Sequence, residues 1–274
     1  MSIDRHSLLD WLLPHCEPGT ASVMYRKGKR DGPGWVNGEA DVARAIAAYR
    51  SGTLSDERFS SITQDGKKYV ITGGTRLGLV PHRDGMVARF CMDFDDHDGD
   101  GGNVHLAEAV DRFLDTTSIK FSSKSGKGLH CYYVLAEPMP VEAFVEWAKA
   151  WGFNRRGDIE CFPKTPKRTQ VWLPNEPNEQ GGDTYRSGSL EDAVIDKLPA
   201  APTRRLNKAT LDFLRGFVAK GYRNDALNKA AYHCAKQRMP EAEAGTLCAA
   251  VCHDIWDFYA RVLATHSASW HQSH

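Results

Sequence analysis

Short apolar runs alternating with polar residues dominate the first two thirds of the chain, and helical spacing takes over towards its end. Residues 69–72, 87–94, 118–121, 129–135, 158–162 and 170–173 are short, rich in β-branched and aromatic residues, and bounded by turn chemistry. That pattern predicts strands. Between them, residues 40–49, 106–114 and 141–151 carry apolar side chains at the spacing of one helix face. Residues 1–200 therefore predict a mixed α/β (α+β) domain. The texture changes after Lys197-Leu-Pro-Ala-Ala-Pro-Thr203, which reads as a linker. Residues 210–220, 224–237 and 241 to about 263 are patterned as helices, with Pro240 where a first-turn N–H is not needed. A small all-helical domain over residues 205–274 is the expectation. No internal repeat or long low-complexity tract interrupts this layout.

Composition narrows the function classes. At 274 residues the chain can bury a sizeable core, as one large domain or as a domain with a smaller appendage. Its 35 basic and 35 acidic residues balance, which excludes a uniformly basic coat. Contact with nucleic acid would run through local patches. Candidates are residues 25–30 (Tyr-Arg-Lys-Gly-Lys-Arg), residues 164–168 (Lys-Thr-Pro-Lys-Arg) and the Arg204-Arg205 pair; each is equally readable as a solvated loop. The amino-terminal residues lack the form of a signal peptide, and no apolar stretch approaches the roughly 18 residues of a membrane span. Seven scattered cysteines without a C-x-x-C pair fit a reduced, cytoplasmic protein better than a disulfide-stapled secreted one.

Candidate chemistry concentrates at three places. An apolar strand ends in Asp93-Phe94-Asp95, and alternation puts both carboxylates on one face with Phe94 on the other. Acids that close repel each other and raise a pKa unless a cation lies between them. Oxygen ligands suit Mg2+ or Mn2+; an acidic strand end with solvated turn residues is the competing reading. A rival metal site starts just beyond, where Asp96, Asp98, Asp100 and Gly101 match the opening of an EF-hand loop. Its twelfth position is Ala107, with Glu108 one place late, and a strand precedes it instead of a helix. The second place is residues 122–130, Ser-Ser-Lys-Ser-Gly-Lys-Gly-Leu-His. Small residues there let backbone N–H groups approach an anion, lysines add charge, and His130 supplies a donor. Walker spacing is absent, and a glycine-rich hairpin turn is the alternative. At the third place, Asp158 and Glu160 share one face of a short strand with Lys164 just past its end. Together with the first two it would complete a two-metal phosphoryl-transfer site.

In order and wording these motifs resemble the archaeo-eukaryotic primase superfamily, of the primase-polymerase type. The resemblance covers about residues 89–174. It rests on the hydrophobic-D-x-D strand, on Ser125-Gly-Lys-Gly-Leu-His130, on Ile159-Glu-Cys-Phe-Pro-Lys164 and on the following Val171-Trp-Leu-Pro174. It implies a catalytic core whose mixed sheet is related to the RNA-recognition fold, joined to an N-terminal α/β unit. It implies that Asp93, Asp95 and Glu160 are the catalytic acids and hold Mg2+ or Mn2+, with Asp158 the other candidate for the third ligand. It further implies that Ser125, Lys127, His130 and Lys164 contact the triphosphate of an incoming nucleotide. Residues 221–232 are similar to a helical segment found after phage and plasmid primase cores, where such helices assist primer initiation. An amphipathic core helix with Arg223 and Lys229 in solvent is the alternative.

The expected activity is DNA-directed nucleotidyl transfer, as DNA primase and DNA polymerase, on a single-stranded DNA template with nucleoside triphosphates. A helicase is a further expected partner, and Arg168, Arg204, Arg205 and Arg223 are candidate nucleic-acid contacts. Two rivals use the same residues: a non-catalytic replication-initiator module, and a metal-dependent nuclease, which would not need the triphosphate loop. His233, Cys234, Cys248, Cys252 and His253 invite a zinc site, though helical cysteines without C-x-x-C pairing are ordinarily small core residues. His266, His271 and His274 read as a loose tail. Trp147, Trp151 and Trp172 read as core, with Trp172 also able to face a base.

Overall fold

Asp4 caps the first helix: its carboxylate accepts a 2.7 Å bond from the Ser7 N–H, satisfying a first-turn donor of α1 (Arg5–Leu12). The computed structural model describes residues 3–27, 30–62, 68–74, 76–95, 104–123, 125–155, 159–167, 169–174, 184–218 and 222–249. After α1 come the paired strands β1 (Thr20–Lys27) and β2 (Arg30–Asn37), then α2 (Glu39–Ser51), β3 (Arg58–Ile62), β4 (Lys68–Thr72) and β5 (Leu77–Leu79). The middle of the chain supplies β6 (Met86–Phe94), α3 (Ala107–Phe113), β7 (Ile119–Ser122), β8 (Leu129–Pro140) and α4 (Val141–Ala150). Then follow β9 (Glu160–Phe162), β10 (Val171–Trp172), β11 (Tyr185–Ser187), β12 (Val194–Ile195), α5 (Lys208–Leu214), α6 (Arg223–Lys236) and α7 (Glu241–Ala249). The fold is mixed α/β. Among the described residues no helix is long and apolar enough to cross a membrane.

The central sheet has the order β11-β7-β8-β6-β9, with β12 added in parallel alongside β8. A second sheet, β10-β5-β1-β2, belongs mostly to the amino-terminal part, and β3 and β4 form a two-stranded sheet. Alternation along β6 sorts its side chains between two cores. Phe90, Met92 and Phe94 face α3 and α4, in a cluster with Val110, Phe144 and Trp151. Cys91 joins Ile119, Phe121 and Tyr132 in the other cluster, beneath α1, α2 and the second sheet. Arg89 lies 4.2 Å from the Trp11 ring of α1, and burial lowers its pKa to about 10.

The segment after the Pro-rich stretch packs into the same first core. Leu211, Phe213, Leu214, Leu227, Ala230, Ala231 and Cys234 are buried in one cluster with Phe90 and Trp151. Arg215 is enclosed completely, 2.6 Å from Asp212 and between the Phe153 and Phe217 rings at 5.1 and 4.4 Å. The Trp147 indole donates a 2.8 Å bond to the Pro199 carbonyl, fastening the stretch between the two parts.

Several elements differ from expectation. Helix α5 ends at Leu214 instead of continuing to residue 220, because Gly216 turns left-handed (φ 75°) and breaks the ladder. β8 runs on to Pro140, since its far end pairs with Met86 and Val87. β9 starts at Glu160 in the described residues. The hairpin β1–β2 escaped the pattern because β2 contains Gly32-Pro33-Gly34; it is an edge strand, where a proline is tolerated.

Candidate active site

Strand register brings the three motifs together. In the β6–β8 ladder Asp93 stands directly opposite His130, and in the β6–β9 ladder it stands directly opposite Glu160. Directly paired residues project from the same face of a sheet with Cβ atoms about 5 Å apart, so Glu160, Asp93 and His130 form a row across three strands. Asp95 follows two residues beyond Asp93, one residue past the end of β6.

The row is electrostatically paired. His130 Nε2 lies 3.5 Å from Asp93 Oδ2, and both side chains are nearly enclosed. Burial on its own would raise the Asp93 carboxyl, but His130 beside it, with help from Arg76 and Lys164, outweighs this and holds it below the usual carboxylate range. Asp93–Asp95 repulsion alone would raise it; basic groups of the chain itself supply the compensation. The Lys164 ammonium forms an ion pair with Glu160, on the same side as the Phe162 ring at 4.6 Å.

The loop before β8 is stitched by its own serines. Gly128 N–H donates to Ser123 Oγ at 2.9 Å, Lys127 N–H to Ser125 Oγ at 3.4 Å, and Gly126 N–H to the Ser123 carbonyl at 2.9 Å. These three backbone donors are bonded within the turn. Gly128 has a separate steric reason: a Cβ at that position would lie 2.8 Å from the Phe94 carbonyl oxygen. Glycine lets the loop press against the end of the acidic strand.

These groups line one cavity of about 490 Å3, within the ~300–1,000 Å3 range of small-molecule sites. One wall, from the central sheet and its loops, is Asp93, Asp95, Ser123, Ser125, His130, Glu160, Phe162 and Lys164; the other is Arg76, Gln170 and Trp172. The second wall comes largely from the amino-terminal sheet, through β10 and the residue preceding β5. The Arg76 guanidinium lies 5.1 Å from the Trp172 ring, and the Trp172 carbonyl accepts from Tyr132 Oη at 3.2 Å. Arg76, Ser123, Phe162 and Gln170 were not singled out by sequence. Arg76 belongs to no motif, and its place is set only by β5 pairing with β1 and β10.

The remaining expected residues lie elsewhere. Lys127 is exposed and is not part of the cavity wall. Arg204 and Arg205 are exposed beyond the Pro-rich stretch and also outside that wall. Asp158, Arg168, the loop at Asp96, Asp98, Asp100 and Gly101, and Cys252, His253, His266, His271 and His274 lie outside the described residues, as do the Arg223 and Cys248 side chains and residues 28–29. Of the zinc candidates, His233 Nε2 accepts from the Asn207 N–H at 3.2 Å, and Cys234 is buried in the core.

Among the described residues no His, Cys, Asp and Glu side chains are already gathered as a metal-binding group. The donor set nevertheless fits a hard divalent cation. All three carboxylates line one cavity, and among the described residues no donor reaches the buried Asp93 Oδ1. No protein-family model matches the chain, and no curated protein is similar to it.

Proposed function

We propose that this chain is a template-dependent nucleotidyltransferase, a primase-polymerase built on an archaeo-eukaryotic primase core. The carrying observation is the cross-strand register that sets Glu160, Asp93 and His130 in one row, with Asp95 in the same cavity. In this reading the central sheet is the RNA-recognition-like core, and α1, α2 and the second sheet are the N-terminal unit.

Mg2+ or Mn2+ held by Asp93, Asp95 and Glu160 would activate the attacking hydroxyl and neutralise the departing pyrophosphate. The chain's own residues bind and orient. Ser125, His130 and Lys164 meet the triphosphate, placing the α-phosphorus in line with a primer 3′-hydroxyl. That oxygen forms the new ester as the bond to pyrophosphate breaks. Arg76 and Trp172 wall the space where the nucleoside lies. Arg204 and Arg205, outside the cavity, together with Arg168 and Arg223, steer a single-stranded DNA template. A helicase partner and a cytoplasmic location belong to the same reading.

Incubation with single-stranded template, Mn2+ and labelled nucleoside triphosphates tests it. Elongated, template-complementary product is the expected outcome. Cleavage of the template without synthesis would identify a nuclease, and DNA binding without turnover a replication-initiator module.

A further inference from the structure

Two roles assigned above to neighbouring side chains exclude each other in the geometry observed. Glu160 is a metal ligand in that reading and Lys164 a triphosphate ligand, yet the two form an ion pair. A divalent cation reaching Glu160 must displace an ammonium group already bound there. Lys164, in turn, cannot reach a phosphate with its charge committed to the carboxylate.

We propose that Lys164 is a resident counter-ion of Glu160 that divalent metal displaces and that the nucleotide's triphosphate then takes up, coupling metal and nucleotide loading. The inference rests on the nucleotidyl-transfer reading of the same cavity. Three observations on the chain support it. The Lys164 side chain is about a third exposed and its partner two fifths, so the pair is accessible to solutes and weakly held. The Phe162 ring, 4.6 Å from the ammonium, offers a cation–π surface on which the released group can rest. Both residues line the cavity wall, so the ammonium can swing from carboxylate to phosphate without leaving it.

The logic of charge points the same way. Arg76 and Lys164 nearly balance the three carboxylates of the cavity. Divalent cations alone would leave the site over-charged in the positive sense, and a triphosphate alone would over-charge it in the negative sense. Their joint entry restores the balance, with Lys164 changing partner. Asp93 and His130 have the same relation, an expected metal ligand beside an expected phosphate ligand, but they are nearly enclosed and have less room to exchange.

The test is Mn2+ binding in the absence of nucleotide, by calorimetry and by the loss of free-ion paramagnetic resonance signal. It compares the full chain with Lys164→Met, Glu160→Gln and the double variant, all checked for melting temperature. Removing the competing ammonium should tighten Mn2+ binding by about tenfold in Lys164→Met. The gain should vanish in the Glu160→Gln background, where the ammonium has no metal ligand to guard. A non-hydrolysable triphosphate added with Mn2+ should bind more weakly to Lys164→Met than to the parent. Equal Mn2+ affinity in parent and Lys164→Met would overturn the hand-over while leaving the nucleotidyl-transfer reading standing. So would an equal gain with and without Glu160, which marks long-range electrostatics instead of competition at a ligand. Failure of all four proteins to bind Mn2+ would overturn both.

Discussion

At Asp93 a single carboxylate joins stability to function. Its pKa is depressed because His130, Arg76 and Lys164 more than offset the burial that would raise it. A carboxylate with a folded-state pKa below its unfolded value contributes stability that is fully present above the ordinary carboxylate range. That contribution is lost as pH falls through the depressed value. The stability difference between the parent and Asp93→Asn should therefore be constant near neutral pH and shrink in the acid limb, measured as paired denaturant titrations across pH. A difference that grows on acidification would contradict the assignment. Sequence could name this residue, since an apolar strand ending in D-x-D is legible. It could not give the sign of the shift, because His130 and Lys164 lie 37 and 71 residues further along the chain. Only pairing makes them neighbours.

Among the elements, β6, β8 and β9 were each legible as strands, and their register was not. A one-residue slip of β8 would turn His130 to the opposite face, and nothing local to residues 129–135 fixes that choice. The hairpin β1–β2 and the three-residue β5 were illegible for different reasons. The first is interrupted by glycine and proline, and the second is too short to show a period. Arg76, just before β5, went unnoticed with them. Loop geometry gives the sharpest prediction at this scale. Gly128→Ala would put a methyl group 2.8 Å from the Phe94 carbonyl, forcing loop and acidic strand apart. We expect a stability loss on the order of 1–3 kcal/mol, the ordinary cost of overpacking, with a disproportionate fall in nucleotide incorporation, measured on protein verified as folded. Full activity in Gly128→Ala would show that the close approach does not matter to the site.

Over the whole molecule, helices α5 and α6 share a continuous core with the central sheet, although composition marks residues 197–203 as a boundary. Truncating Phe213, fully buried in that core, should cost about 3–5 kcal/mol. Circular dichroism and tryptophan fluorescence should both report one shifted transition. Two separate transitions, with only the smaller displaced, would mean that the helical segment unfolds on its own. Chain length and the change of texture made both parts legible; their sharing of one core depends on side chains such as Phe213 and Arg215 that no motif marks. The central claim is that the Glu160–Asp93–His130 row performs nucleotidyl transfer, and its most direct test is the rate of template-directed nucleotide incorporation in Glu160→Gln set against Asp158→Asn. The register predicts that Glu160→Gln, still folded, loses on the order of 10³-fold or more, while Asp158→Asn keeps most of the parent rate. The reverse ranking, or an undiminished rate in Glu160→Gln, would contradict it.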